Sequence, residues 1–275
     1  MSIWKPLSSS VPYQLALGTA CGATDIGTAR DSNEDNFFIA AHPCLLVVAD
    51  GMGGHEGGEI ASADAIELLH QFLRDADLSA PASAPPPPDP HTHRDDATLR
   101  AIATLRDAIE YANACIHQAN RARNHADGTG MGSTLTGIWQ PAPGLPALSF
   151  HIGDSRLYRC RDGRLVQLTR DQTWHQQALE ANAPPPLPPR NVLLQALGPG
   201  PIVTPDVQVL TMTQDDVYLL CSDGLHGESQ PRDIAAILTQ ARIDNLDSCC
   251  AQLIELAKQD GSRDNITALL LKCPA

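Results

Sequence analysis

The 275-residue sequence predicts an α+β fold built on antiparallel strands. Three observations carry this reading. Strand-like and helix-like segments come in blocks, without regular βαβ alternation. Neighbouring strand-like runs are joined by short turn signals such as Gly153-Asp154 and Asp162-Gly163, which suit hairpins. No internal repeat of fixed period is found. Hydrophobic residues make up 43% of the chain, enough for a substantial core.

The elements follow in order. Residues 1–12 read as a loose lead-in and 13–21 as a first strand. The polar loop Asp25-Ile26-Gly27-Thr28-Ala29-Arg30-Asp31-Ser32-Asn33-Glu34-Asp35-Asn36 carries one cation and several carboxylates. Residues 37–40 and 44–49 are apolar runs parted by His42-Pro43, as in a hairpin. A helix is expected from Glu56, with Ile66, Leu69 and Leu73 on one face and its end before Leu78. Residues 79–94 hold six prolines without periodicity and read as a surface excursion. Ile102, Leu105, Ile109, Ala112 and Ile116 recur every three or four residues, so a long amphipathic helix is expected over 95–124. Short strands are expected at 132–139, 147–152, 156–160 and 165–168. A helical piece at 172–180 leads into a segment rich in proline, and 191–197 is apolar again. Strands follow at 207–210 and 217–221. Pro231 is placed to open a helix bearing Ile234, Ile237, Leu238 and Ala241. Leu246, Cys250, Leu253 and Ala257 mark another helix, and residues 266–271 a last strand.

Composition narrows the functional classes. The formal net charge of −13 argues against a nucleic-acid or anionic-membrane surface and suits a protein that gathers divalent cations. The eight cysteines form no CxxC pair and read as reduced core thiols. No apolar run reaches the roughly 18 residues of a membrane span. Residues 15–21 are too short for a signal sequence and are broken by Gly18 and Thr19, so a cytoplasmic protein is expected.

Four apolar runs present an Asp at or beside an end: Asp50, Asp154, Asp223 and Asp264. Taken singly, each reads equally well as a turn or cap residue. Together, with Glu34 and Asp35 nearby, they would be carboxylates that cannot all ionise without compensation. A hard divalent cation, magnesium or manganese, supplies it, and the glycine after Asp50 leaves a backbone carbonyl unshielded as a further ligand. Zinc is disfavoured, since His91 and His93 sit in the proline excursion and no His or Cys partners stand at ligand spacing. Arg30 suits an anionic phosphoryl group, because its planar fork donates two hydrogen bonds; a surface ion pair with Asp31 or Glu34 is the alternative. Two such ions bring a shared water towards neutrality and orient in-line attack at phosphorus.

The segments Arg30-Asp31-Ser32-Asn33-Glu34-Asp35, Asp50-Gly51-Met52-Gly53-Gly54, Met131-Gly132-Ser133-Thr134-Leu135, Gly153-Asp154-Ser155-Arg156, Cys221-Ser222-Asp223-Gly224-Leu225 and Asp264-Asn265-Ile266-Thr267 stand in the order seen in the metal-dependent type 2C (PPM) protein serine/threonine phosphatases. The chain resembles that family, bacterial type, over residues 13–271. The resemblance implies one phosphatase domain over that range: a central sandwich of two antiparallel β-sheets flanked by helices on both sides. The Pro-rich excursion at 79–94 and a short Pro-rich flap at 172–190 would be its variations. It implies Mn2+ or Mg2+, two ions per site, with Asp50 bridging, the Gly51 carbonyl beside it, and Asp223 and Asp264 completing the first ion's shell. Asp154 would help hold a third, weaker ion. Glu34 and Asp35 would hold metal-bound waters or ligate the second ion, and Arg30 would hold the substrate phosphate. The nucleophile would be a water or hydroxide between the metals, with no phosphoenzyme.

The chain departs from the family in two places. Animal members commonly carry a His, assigned as general acid, where this chain has Met52. His55 is the candidate replacement; capping of the following helix is its other reading. The flap, with five prolines in 172–190, should be stiffer than usual. The resemblance implies a monomer that hydrolyses phosphoserine and phosphothreonine on proteins and opposes a cognate serine/threonine kinase. The acidic, short form is also similar to phosphatases that accompany type VI secretion. The rivals are a non-catalytic phosphopeptide-binding regulator and a phosphatase of small phosphoesters.

Overall fold

The structure, a computed structural model, describes residues 11–53, 57–78 and 96–274. The Pro-rich excursion at 79–94 and His55 lie outside the described residues. One sheet is built from β1 (Tyr13–Leu15), β2 (Gly18–Asp25), β8 (Arg156–Arg161), β9 (Arg164–Gln167), β11 (Val217–Cys221) and β12 (Ile266–Lys272), in the order β1-β2-β12-β11-β8-β9. The other contains β3 (Asp35–Ala41), β4 (Cys44–Met52), β6 (Leu135–Gln140), β7 (Leu148–Ile152) and β10 (Asp206–Val209), in the order β10-β7-β6-β4-β3; β5 (Gly132–Ser133) also pairs with β4. These ladders are antiparallel.

Helices cover both outer faces. α1 (Gly58–Asp75) and α2 (Asp96–Ala122) lie on the second sheet, where Ile66, Leu69, Leu105 and Ile109 meet Leu45 and Val47. α4 (Asp223–His226), α5 (Pro231–Thr239) and α6 (Leu246–Gln259) lie on the first, where Leu225, Ile234 and Leu253 meet Leu219 and Leu270. The flanked sandwich expected from the sequence is the observed architecture.

Strand periodicity explains the unbroken apolar runs. Successive side chains point to opposite faces. On β4, Leu45, Val47 and Ala49 join the helix-covered core, while Leu46 and Val48 enter the layer between the sheets. On β11, Val217, Leu219 and Cys221 face the helices, while Tyr218 and Leu220 face inward. A strand buried on both faces has no polar alternation to show. The cysteines are free thiols, seven of them buried and Cys115 partly so.

Two expected strands are divided. Residues 13–21 form a hairpin instead of one strand: a turn at Ala16-Leu17 brings Leu15 opposite Gly18. The strand expected over 132–139 breaks at Thr134, whose N–H leaves the ladder for the Asp50 carbonyl at 2.9 Å. That break serves the site described next.

Candidate active site

The same alternation places the acidic residues. Asp50 continues the face of Leu46 and Val48, so it points between the sheets at the open end of the sandwich. Asp35 lies directly opposite it across the β3–β4 ladder. Like charges opposed on one face destabilise a sheet, so this pairing needs a compensating role. From the other sheet, Ser222 and Thr267 close the same end and donate to Asp35 Oδ2 at 2.6 and 2.7 Å. Asp35 is thereby buried behind the cleft wall.

The cleft has a volume of about 210 Å³, and its wall includes Arg30, Glu34, Asp50, Gly51, Asp154, Asp223 and Asp264. Each residue is held by its backbone surroundings. Thr134 clamps Asp50 from both sides of the peptide: its Oγ1 accepts from Asp50 N at 2.9 Å, and its own N donates to Asp50 O at 2.9 Å. A Cβ on Gly51 would lie 2.1 Å from the carbonyl oxygen of Gly58 and 2.6 Å from that of Glu34, so only glycine admits this approach of β4, the α1 N-terminus and the 25–36 loop. Gly153, at φ +99°, makes the left-handed turn after β7 that delivers Asp154. His226 Nε2 meets the Asp154 carbonyl at 3.0 Å, and Asp223 sits at the start of α4.

Asn265 organises the loop bearing Arg30 and Glu34. Its Oδ1 accepts from Glu34 N at 2.8 Å, and its Nδ2 donates to the carbonyls of Ile26 and Ser32, both at 2.9 Å. Arg30 pairs with Asp264 Oδ2 at 2.7 Å, where the sequence alternative looked to Asp31 or Glu34. Asp264 Oδ1 accepts from Asn265 N at 2.8 Å.

The electrostatics follow from crowding. Burial, with the charges of Asp35, Asp223, Asp154 and Asp264 adding to it, holds the Asp50 carboxyl well above the usual range. Burial pushes Asp35 up to about 7, against the hydroxyl hydrogen bonds that favour its anion. Asp154 is pushed up to about 8 by burial and then by Asp223, and Asp223 to about 6 by burial and then by Asp264. His226 is driven down to about 3 by burial and Arg156, so it is a neutral imidazole. Met52 lines the cleft and has no proton to give.

This donor set, all hard oxygen and short of positive charge, fits a divalent cation such as manganese or magnesium. Among the described residues no three acidic, His or Cys side chains are already arranged as an ion cage. The donors are assembled, but Asp264 is turned to protein partners on both oxygens.

Of the residues singled out from sequence, Arg30, Glu34, Asp50, Gly51, Asp154, Asp223 and Asp264 share the cleft wall, Asp35 lies behind it, and His55 lies outside the described residues. The roles of Thr134, Ser222, Asn265 and Thr267 were not legible from spacing. For Ser222 a signal existed: a hydroxyl one step beyond Leu220 on an inward-facing register calls for a buried polar partner.

The family model for protein phosphatase 2C matches residues 28–270, and the chain belongs to that family. It is 34% identical over 252 residues to the serine/threonine protein phosphatase PstP of Mycobacterium tuberculosis, covering 90% of this chain and 43% of PstP. The chain thus spans less than half the length of that curated relative. The crystal structure of the PstP catalytic domain in complex with 2 manganese ions superposes with a TM-score of 0.73 at 31% identity, covering 93% of this chain and 98% of that one. PppA, a key regulatory component of T6SS in Pseudomonas aeruginosa, superposes with a TM-score of 0.72 at 29% identity, covering 92% and 96%.

Proposed function

We propose that the chain hydrolyses phosphoserine and phosphothreonine on proteins, in a domain spanning residues 13–271. The observation that carries this is the convergence of Asp50, Asp154, Asp223 and Asp264 from separate strand ends onto one cleft beside the Arg30 guanidinium. PstP with its 2 manganese ions supports the cation requirement. Asp50, Asp223, Asp264, Asp154 and the Gly51 carbonyl would hold two ions, manganese or magnesium, and a weaker third. Such ions supply a water of near-neutral pKa and withdraw charge from phosphoryl oxygens.

The chain's own residues do the rest. Arg30 binds and orients the phosphate through its fork, and must leave Asp264 to do so. Glu34, fixed through its amide by Asn265, stands beside Arg30 and orients water at the phosphate. Asp35, buried behind Asp50, keeps that carboxylate in register. Protonation of the leaving alkoxide falls to a group other than Met52, with His55 the sequence candidate. The likeness to PppA supports a role beside type VI secretion. In this reading the chain opposes a serine/threonine kinase in the cytoplasm. Among the described residues no helix is long and apolar enough to cross a membrane.

The test is hydrolysis of a phosphothreonine peptide with manganese, with chelator, and by Asp223→Ala. Activity that needs manganese and is lost in the variant is expected. Full activity in chelator would sink the reading; a chain that binds the peptide without turnover would be a recognition module. Asn265→Ala offers a finer check. Removing an outer partner of an ion site costs about 10–100-fold in affinity or activity. We expect that loss in both kcat/KM and manganese affinity, with the folded circular-dichroism spectrum retained.

A further inference from the structure

Asp154 reaches the cleft from a backbone position with little stiffness of its own. Gly153 before it sits at φ +99°, where a residue with a Cβ is strained, so glycine is required and its freedom comes with it. A residue that serves an ion must be held within about 0.5 Å of its working position. Gln172 does the holding, and it is only 4% exposed. Gln172 N donates to Gly153 O at 2.7 Å, and Gln172 Oε1 accepts from Gly153 N at 2.8 Å. The peptides on both sides of the Gly153 Cα are thus tied to one residue, and neither can rotate and swing Asp154.

The Gln172 amide is itself oriented. Its Nε2 donates to Asp206 Oδ2 at 3.1 Å, and a carboxylate accepts but does not donate, which leaves Oε1 for Gly153. Asp206 opens β10 opposite His151 of β7, so this anchor stands on the sheet. Neighbouring contacts complete the grip. Asp171 takes Arg156 with both carboxylate oxygens, at 2.8 and 2.6 Å, and Ser155 Oγ meets Thr134 Oγ1 at 2.8 Å. On its far side, Gln172 O accepts from Leu194 N at 2.7 Å, and Thr173 caps α3 (Trp174–Glu180) by accepting from Gln176 N at 3.1 Å.

We propose that Gln172 is a positioning residue for Asp154 and, through it, for the most weakly held cation. This rests on the phosphatase reading above, in which Asp154 serves the third ion. The selectivity follows from where the clamp acts. Among the described residues the hydrogen bonds of Gln172 go to Gly153, Asp206 and Leu194, and none goes to Asp50, Asp223 or Asp264. Losing the clamp therefore loosens one ion and spares the other two.

The experiment titrates manganese into the full chain by calorimetry, with paramagnetic resonance counting the free ion. Gln172→Ala removes the side-chain half of the clamp. Gln172→Glu keeps an acceptor for Gly153 N but sets a carboxylate against Asp206, and adding Asp206→Asn restores a donor across that contact. Each single change at 172 is expected to weaken the weakest ion by about tenfold, as loss of an outer partner of an ion site does, and to leave the tighter pair unchanged. The double variant should bind like the wild type, and Asp206→Asn alone should do so too, since its amide oxygen still accepts. Wild-type affinity for the weakest ion in both 172 variants would overturn the proposal. So would equal weakening of all the ions, which a loosened fold gives, or a double variant that melts like the wild type in chelator yet still binds the weakest ion poorly. A wild type that binds two ions and no third would overturn it as well. A wild type that binds no manganese at all fails the phosphatase reading instead.

Discussion

Asp50→Asn is expected to abolish turnover and, at the same time, to stabilise the metal-free chain. The two effects share one cause. Asp50 is half-buried opposite Asp35 and beside Asp223, and desolvation, with its acidic neighbours adding to it, holds its acidity well below that of a free carboxylic acid. Near neutral pH the metal-free chain must either ionise a crowded carboxylate or take up a proton to avoid it, and both cost free energy. An amide of the same shape carries no charge to crowd. We expect a gain of about 1–3 kcal/mol, of the size that relief of one buried like-charge contact produces. Catalysis needs the charge that stability does not. Losing a preorganised group at the reacting centre costs about two to three orders of magnitude, and Asp50 is the expected link between two ions, so a loss of about 10³-fold or more is expected. Urea denaturation with chelator and phosphothreonine peptide turnover with manganese read the two effects separately. A variant less stable than wild type without metal would show that Asp50 is satisfied by protein partners, and the cation-site reading would fail with it.

The fold was legible where period and turn chemistry act locally. The α2 helix follows from Ile102, Leu105, Ile109 and Ile116, and the β3–β4 hairpin from two apolar runs around His42-Pro43. The breaks were less legible because they depend on distant groups. The interruption at Thr134 exists because Asp50, 84 residues earlier, takes both the amide and the hydroxyl of that residue. The site's acidic members announce themselves, since a carboxylate ending a buried strand has no cheap local explanation. Its supporting members do not: Asn265 acts on Glu34, Ile26 and Ser32, more than 230 positions away, and no spacing encodes that. Arg30 shows the limit from the other side. Its ion-pair alternatives were sought among neighbours in sequence, whereas the partner, Asp264, comes from the far end of the chain.

Raising the pH from 7 to 8.5 is expected to destabilise the chain in chelator and to leave it nearly unaffected in excess manganese. The sign follows from the carboxyls. Asp35 and Asp154, with ordinary values of 3.8, are pushed up to about 7 and about 8 in the folded chain. A raised acid contributes stability that is complete below its unfolded pKa and is lost as pH rises through its folded pKa, because the folded state holds a proton the unfolded state has released. The other shifted groups act elsewhere. His226 and His151 are lowered by burial, so their contributions fade as pH falls below about 6.5, outside this window. Asp171 and Asp216, lowered by Arg156 and Arg161 against burial, matter only below about pH 4. Buried Cys221 and Cys273, pushed up to about 12, and Cys44, Cys249 and Cys250, also raised, begin to cost stability where unfolded thiols ionise, near pH 8.5, and that loss at the top of the window is the same with and without manganese. One retained proton over 1.5 pH units is worth about 2 kcal/mol, hence a fall in Tm of about 4–8 °C in chelator. Cations bound to the carboxylates replace those protons, so the carboxyl part of the slope should vanish in manganese and the stabilisation by manganese should grow with pH. Thermal melts at several pH values, with and without the ion, measure both slopes. Parallel slopes would mean that the ions bind away from Asp35, Asp50 and Asp154, and that the acidic end of the sandwich is not their site.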